Sequence, residues 1–178
     1  MKTVALTGPE STGKSTLSRL LAAHYCTSWA REYARDYLEQ HGPTYALPDL
    51  EAIARGQLAA EETAVAAAAA AQRPVVFFDT DLSVIKIWAE HAFGHCPAWI
   101  QQHIEQQHYD LVLLLNVDLP WEPDPLREHP DPAQRAYFYQ LYQTELRQQK
   151  SPLIEIGGPP AQRLAQAVAA VEGLLDSR

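Results

Sequence analysis

The densest chemistry in the chain lies close to its N-terminus. Gly8-Pro9-Glu10-Ser11-Thr12-Gly13-Lys14-Ser15, followed by Thr16, fits the pattern G-x-x-x-x-G-K-[ST] at every fixed position. Glycines let such a loop wrap closely around phosphate oxygens. Successive N–H groups and the N-terminus of the next helix add partial positive charge. The lysine reaches the β- and γ-phosphates, and the following hydroxyl ligates Mg²⁺. Gly8, Glu10, Ser11, Thr12, Gly13, Lys14, Ser15 and Thr16 are therefore candidate ligands of the ATP phosphates, with Ser15 on the metal.

Carboxylates come next. Phe77-Phe78-Asp79-Thr80-Asp81 carries an apolar run into Asp79. That places an acid at the C-terminal end of a buried parallel strand, where open α/β sheets bind ligands. Asp79 is a candidate for holding Mg²⁺, or for serving as the base for an acceptor. Asp81 lies one step further towards an acceptor, or caps the helix that follows.

Arg31-Glu32-Tyr33-Ala34-Arg35 should open at the same edge. Spacing predicts that Arg31 and Arg35 share a helix face, suited to phosphate or carboxylate groups. Glu32 is a candidate acceptor of a hydroxyl proton. A solvated, salt-bridged helix start would use the same residues. Trp29, Tyr33 and Tyr37 could stack on a planar ring or belong to the core. Arg127 and Arg135 could close over a γ-phosphate from a proline-stiffened lid, or sit on a rigid surface loop. His91, His95 and Cys96 have a spacing reminiscent of zinc sites, but a polar helix end accounts for them better. Trp88, seven residues beyond Asp81, reads as core or as a ligand-stacking ring.

Positioning these groups requires alternating elements. Short apolar runs predict strands at about 3–7, 26–29, 74–78, 111–117 and 153–156. Helical spacing fills 14–24, 32–40, 49–72, 82–92 (broken at Gly94), 97–107, 133–148 and 160–175. Residues 120–132 hold five prolines and cannot form a regular interior element. This alternation implies an α/β fold with a parallel sheet covered by helices on both faces. The expectation is one domain over 1–178, with a lid at about 120–148.

The composition excludes several classes. At 178 residues, 47% hydrophobic and 20% charged, the chain is of ordinary globular type. A net charge of −8 makes it a poor general binder of nucleic acid or anionic membrane. Two cysteines, Cys26 and Cys96, make no disulfide framework, and reducing cytosol is the simplest compartment. The start is too short for a signal peptide. The alanine run at 64–71 reads as a strong helix former rather than a membrane span.

Taken together and in order, Gly8 to Thr16, Arg31-Glu-Tyr-Ala-Arg35, Asp79-Thr-Asp81 and Asp124-Pro-Leu-Arg127 resemble the ribosylnicotinamide kinase domain of the bifunctional NAD-biosynthesis and regulatory proteins of bacteria. The resemblance runs from Lys2 to about Val171. It implies the nucleoside-kinase form of the P-loop fold, with a five-stranded parallel core and a lid. It also implies transfer of the ATP γ-phosphate to the ribose 5′-hydroxyl of nicotinamide riboside, with Mg²⁺, giving nicotinamide mononucleotide. The implied catalytic set is Lys14, Asp79, Asp81, Glu32 and Arg127, with Arg135 on the phosphates. The implied acceptor pocket is Glu32, Tyr33, Arg35, Tyr45, Asp49, Asp81 and Trp88.

Fused members carry a helix-turn-helix and an adenylyltransferase domain ahead of the kinase. A chain whose Lys2 lies six residues before Gly8 is expected to have neither. A kinase for another nucleoside or nucleotide, and a regulatory ATP-binding module without an acceptor, are the alternative readings. A homo-oligomer stays open.

Overall fold

The computed structural model describes residues 1–177. In chain order the elements are β1 (Lys2–Thr7), α1 (Lys14–His24), β2 (Trp29–Ala30), α2 (Tyr33–His41), α3 (Leu47–Ala70), β3 (Val75–Asp79), α4 (Leu82–Phe93), α5 (Ala98–Gln106), β4 (Leu111–Leu115), α6 (Pro132–Arg147), β5 (Leu153–Ile156) and α7 (Pro160–Asp176). The strands form one sheet, ordered β2-β3-β1-β4-β5, and every pairing is parallel.

Successive strand residues point to opposite faces, and each face finds its own helices. Val4 and Leu6 of β1 pack with Leu17 and Leu21 of α1 and with Ala167 and Val171 of α7. Ala5 points the other way, into a layer with Ala64 and Ala68 of α3 and Phe138 and Tyr142 of α6. Both faces are therefore buried, which is why β3 and β4 read as unbroken apolar runs rather than alternating ones. A third apolar cluster joins α2, α3, α4 and α5 through Ala34, Leu50, Ile53, Leu82, Ile85 and Ile100.

After β1 the chain builds β2 and β3 on one side, then crosses to build β4 and β5 on the other. The strand order thus reverses around β1, and a crevice opens beyond the C-terminal ends of the strands. Every catalytic candidate lies at that edge or in a connection that leaves it.

The structure shifts some boundaries. The second strand is two residues, Trp29–Ala30, because Cys26 adopts a left-handed φ of 51° and closes a turn after α1. The helix expected from 49 begins at Leu47, where the Asp49 carboxylate accepts the Ala46 N–H at 2.7 Å. No described helix is long and apolar enough to cross a membrane.

Candidate active site

The phosphate loop is built by main-chain geometry. Gly8 has a φ of +132°, and a Cβ there would lie 2.8 Å from the Leu115 carbonyl oxygen, so only glycine fits between β1 and β4. Gly13, at φ +83°, ends the loop and caps α1. Lys14 Nζ donates to the Gly8 and Pro9 carbonyls at 2.8 and 2.9 Å, which pins its ammonium inside the curve of the loop. The Thr12 hydroxyl donates to Pro9 O at 2.8 Å and braces the same turn. Loop, lid and helix ends enclose a cleft of about 610 Å³.

Asp79 ends β3, beside the loop. It is 1% exposed, and its Oδ1 has no hydrogen-bond partner among the described residues. Burial and the neighbouring Glu32 push its carboxyl upward, against the lowering effect of Ser15 and Lys14. A buried, unpartnered carboxylate oxygen close to the exposed Ser15 hydroxyl is a donor set that fits a hard divalent cation such as Mg²⁺. Glu32, the N-cap of α2, lines the cleft itself, which Asp79 does not.

Asp81 is placed elsewhere. Thr80 takes a left-handed φ of 82° and turns the chain at the end of β3. The Asp81 carboxylate then accepts the Thr7 hydroxyl at 2.9 Å and the Ser83 hydroxyl at 2.7 Å, fully buried beneath the cleft. Burial raises its pKa. It starts α4 as N-cap, although its side chain makes no cap bond.

The segment after β4, expected from sequence to act as a lid, lies against the phosphate loop. Ser11 Oγ accepts the Glu122 N–H at 3.1 Å and the Arg127 guanidinium at 3.4 Å. Arg135 is buried and donates to the Leu119 and Ser11 carbonyls at 3.0 and 3.3 Å. Arg127 and Arg135 both line the cleft, as does Arg35, which pairs with Asp124 of the lid at 3.1 Å. Arg31 lies ahead of α2 rather than on it, is exposed, and among the described residues pairs only with Asp36 at 3.9 Å, so the expected two-arginine face does not form.

Part of the cleft wall is aromatic. Trp88, His91, Phe138 and Tyr142 line it. Trp88 Nε1 donates to the Tyr45 hydroxyl, which donates in turn to Glu128 of the lid at 3.2 Å. Tyr45 thereby supports the wall from behind. Tyr33 covers Gly56 of α3, where any Cβ would collide with its ring. Asp49 serves α3 and accepts the Tyr37 hydroxyl at 2.7 Å. The structure leaves Trp29, Arg31, Tyr33, Tyr37, Tyr45, Asp49, Asp79 and Asp81 outside the cleft lining and brings Glu32, Arg35, Trp88, Arg127, Arg135 and the phosphate-loop candidates into it.

Sequence reasoning missed Arg163. Its guanidinium is 2% exposed and donates to the carbonyls of Gly158, Thr12 and Asn116 at 2.7, 3.0 and 3.0 Å, and to Asp118. It ties the end of the phosphate loop to the segments after β4 and β5. The signal was present: Arg163 falls four residues before Ala167 and eight before Val171, on the buried face of α7. Gln57 and Glu61 occupy the buried stripe of α3 in the same way. Gln57 Oε1 accepts the Tyr33 N–H at 3.0 Å and fixes the start of α2 beside Glu32.

A phosphate loop between β1 and α1, a buried strand-end acid, a cationic lid and the 2-3-1-4-5 parallel sheet define the P-loop fold in its nucleoside- and nucleotide-kinase form. The chain belongs to the AAA domain family, whose sequence pattern matches residues 3–163. It is 36% identical over 145 residues to the trifunctional NAD biosynthesis/regulator protein NadR of Escherichia coli K12, covering 79% of this chain and 34% of that one. The chain thus spans about a third of the length of the curated relatives it matches. A crystal structure of a NadR protein in complex with NR superposes with a TM-score of 0.75 at 23% identity, over 99% of this chain and 52% of that one. Thymidylate kinase from Ehrlichia chaffeensis gives 0.68 at 13% identity, over 96% and 98%.

Proposed function

We propose that the chain is an ATP-dependent kinase whose acceptor is the 5′-hydroxyl of a nucleoside, with nicotinamide riboside the favoured one. The observation that carries this reading is the two-ended cleft. One end is a phosphate loop with Lys14, Arg127 and Arg135. The other is an aromatic wall with Glu32 and Glu128 where, among the described residues, the arginine present is carboxylate-bound, since Arg35 is held by Asp124 and Glu39. Such an end suits a flat base, and a cationic pyridinium ring better than a phosphorylated acceptor. The likeness to the NadR proteins supports the same acceptor.

The residues divide the work. Lys14 exchanges its two carbonyl partners for β- and γ-phosphate oxygens. Ser15 and Asp79 would hold Mg²⁺, which supplies charge neutralisation between those phosphates. Glu32 faces the cleft and takes the proton of the acceptor hydroxyl. Asp79, buried and on the metal side, is left to position. Arg127 lies at the mouth and neutralises charge on the transferring group as the lid seats. Catalysis is then chiefly alignment and electrostatics. On this reading residues 1–178 act as one kinase domain with its lid at 120–148, on a small molecule rather than a nucleic acid.

The test is coupled ADP release with Mg-ATP and an acceptor panel of nicotinamide riboside, thymidine, deoxycytidine, uridine and buffer alone. Release that depends on nicotinamide riboside is the expected result. Release with another nucleoside keeps the kinase and discards the acceptor. Tight ATP binding with no release in any tube makes the chain a regulatory nucleotide-binding module.

A further inference from the structure

Glu10 lies in the middle of the phosphate loop, yet its carboxylate is turned away from the curve where Lys14 sits. It accepts the backbone N–H of Glu128 at 3.0 Å and that of His129 at 2.5 Å, more than a hundred residues along the chain. Those two amides follow Arg127 directly. On the other side of Arg127, Ser11 Oγ accepts the Glu122 N–H. Two neighbouring loop side chains therefore grip the lid on both sides of its arginine, through main-chain groups that no lid substitution short of proline removes. Other hydrogen bonds that hold this segment include Arg35 on Asp124, Tyr45 on Glu128 and the Arg135 guanidinium on the Leu119 carbonyl.

We propose that Glu10 is a positioning residue: it latches the lid to the phosphate loop, setting where Arg127 stands over the transferring phosphoryl group. The latch makes lid position a property of the loop that binds the phosphates. Any adjustment of the loop around a nucleotide is then passed to residues 127–129 through two hydrogen bonds. A carboxylate suits the task because it accepts two N–H donors at once, and charge-assisted bonds of this kind are the strong ones. Glutamine keeps an accepting oxygen on a side chain of the same length, whereas alanine keeps nothing.

The consequence for kcat rests on the kinase reading above, but lid attachment can be measured without it. Between Asp118 and Asp131 the only trypsin target is Arg127, so the fragment 128–178, identified by mass, reports release of the lid. Glu10→Ala is expected to speed that cleavage about tenfold or more. It should lower kcat by about 10–30-fold and leave the Kd for Mg-ATP within about threefold, as the loss of two partly exposed bonds to one carboxylate predicts. Glu10→Gln should return both cleavage and kcat to within about threefold of wild type.

Unchanged cleavage in Glu10→Ala overturns the latch. So does a loss of ATP affinity as large as the loss of kcat, which would mean that Glu10 shapes the phosphate loop itself rather than the lid. Glu10→Gln behaving like Glu10→Ala overturns it too. Accelerated cleavage in Glu10→Ala, with wild-type protein phosphorylating no nucleoside, upholds the latch and defeats the kinase reading instead.

Discussion

The two ends of the cleft are made in different ways. The phosphate end is a stretch of main chain: one glycine that nothing else can replace beside Leu115, a second at the start of α1, and a lysine folded onto carbonyls of its own loop. The aromatic end, the proposed acceptor site, is assembled from side chains of distant segments, Glu32 before α2, Trp88 and His91 from α4, Phe138 and Tyr142 from α6, and Glu128 from the segment after β4. A local main-chain device leaves a local trace in sequence and tolerates little change. An assembled wall leaves no local pattern and can be altered one side chain at a time. The phosphate end should therefore fail abruptly when altered, and the acceptor end by degrees.

Lys14→Ala is the harshest way to sharpen that contrast. It removes the one ammonium inside the loop, and kcat should fall by about 10³-fold or more. A near-normal kcat would sink the mechanism. Asp79→Asn comes next, with kcat down by about 10²-fold and Mg-free nucleotide affinity nearly unchanged. Because burial and Glu32 hold this carboxyl above its ordinary range, the wild-type rate should fall on the acid side at a higher pH than a free carboxylate would give. An Asp79→Asn variant with wild-type rate would move Asp79 to a framework role.

Trp88→Ala tests the other end. It should raise the acceptor KM about tenfold while the ATP KM holds steady, the behaviour of a lost stacking face. Equal losses for both substrates would mean that the two ends are not separable.

Glu61→Gln is expected to leave turnover alone. Burial, with Asp81 nearby, pushes the Glu61 carboxyl up to about 8. The fold therefore prefers the protonated acid. That stabilisation is complete below the ordinary glutamate range and is lost as pH rises through about 8. Wild-type Tm should drop between about pH 5 and pH 9, while the glutamine variant loses less over the same span. Parallel Tm curves would show that Glu61 does not titrate in the fold.

The same contrast explains what could be read from sequence. The loop from Gly8 to Ser15 and the alternation of strands and helices were legible because each rests on spacing within a few residues, whereas the order of the strands in the sheet is set by pairings far apart in the chain. The 26–29 strand was misplaced because Cys26, a residue with no turn preference, takes the left-handed position that ends α1, where the Thr27 and Cys26 N–H groups donate to the Ala22 and Ala23 carbonyls. Asp81 could not be told from a cleft acid, since its direction is set by the left-handed backbone of Thr80. Tyr33 and Asp49 have the right chemistry for a ligand but are taken by Gly56 and by the start of α3. Arg163 was marked only by a charge on an apolar helix face, a signal that becomes meaningful once the helix is known to end beside the phosphate loop.

The most direct measurement is phosphorus NMR of wild-type protein with Mg-ATP and nicotinamide riboside. The account predicts that the γ-phosphate signal is replaced by a monoester resonance split by the two 5′ protons of the ribose, together with ADP. Inorganic phosphate with the riboside unchanged, or no loss of ATP, would contradict it.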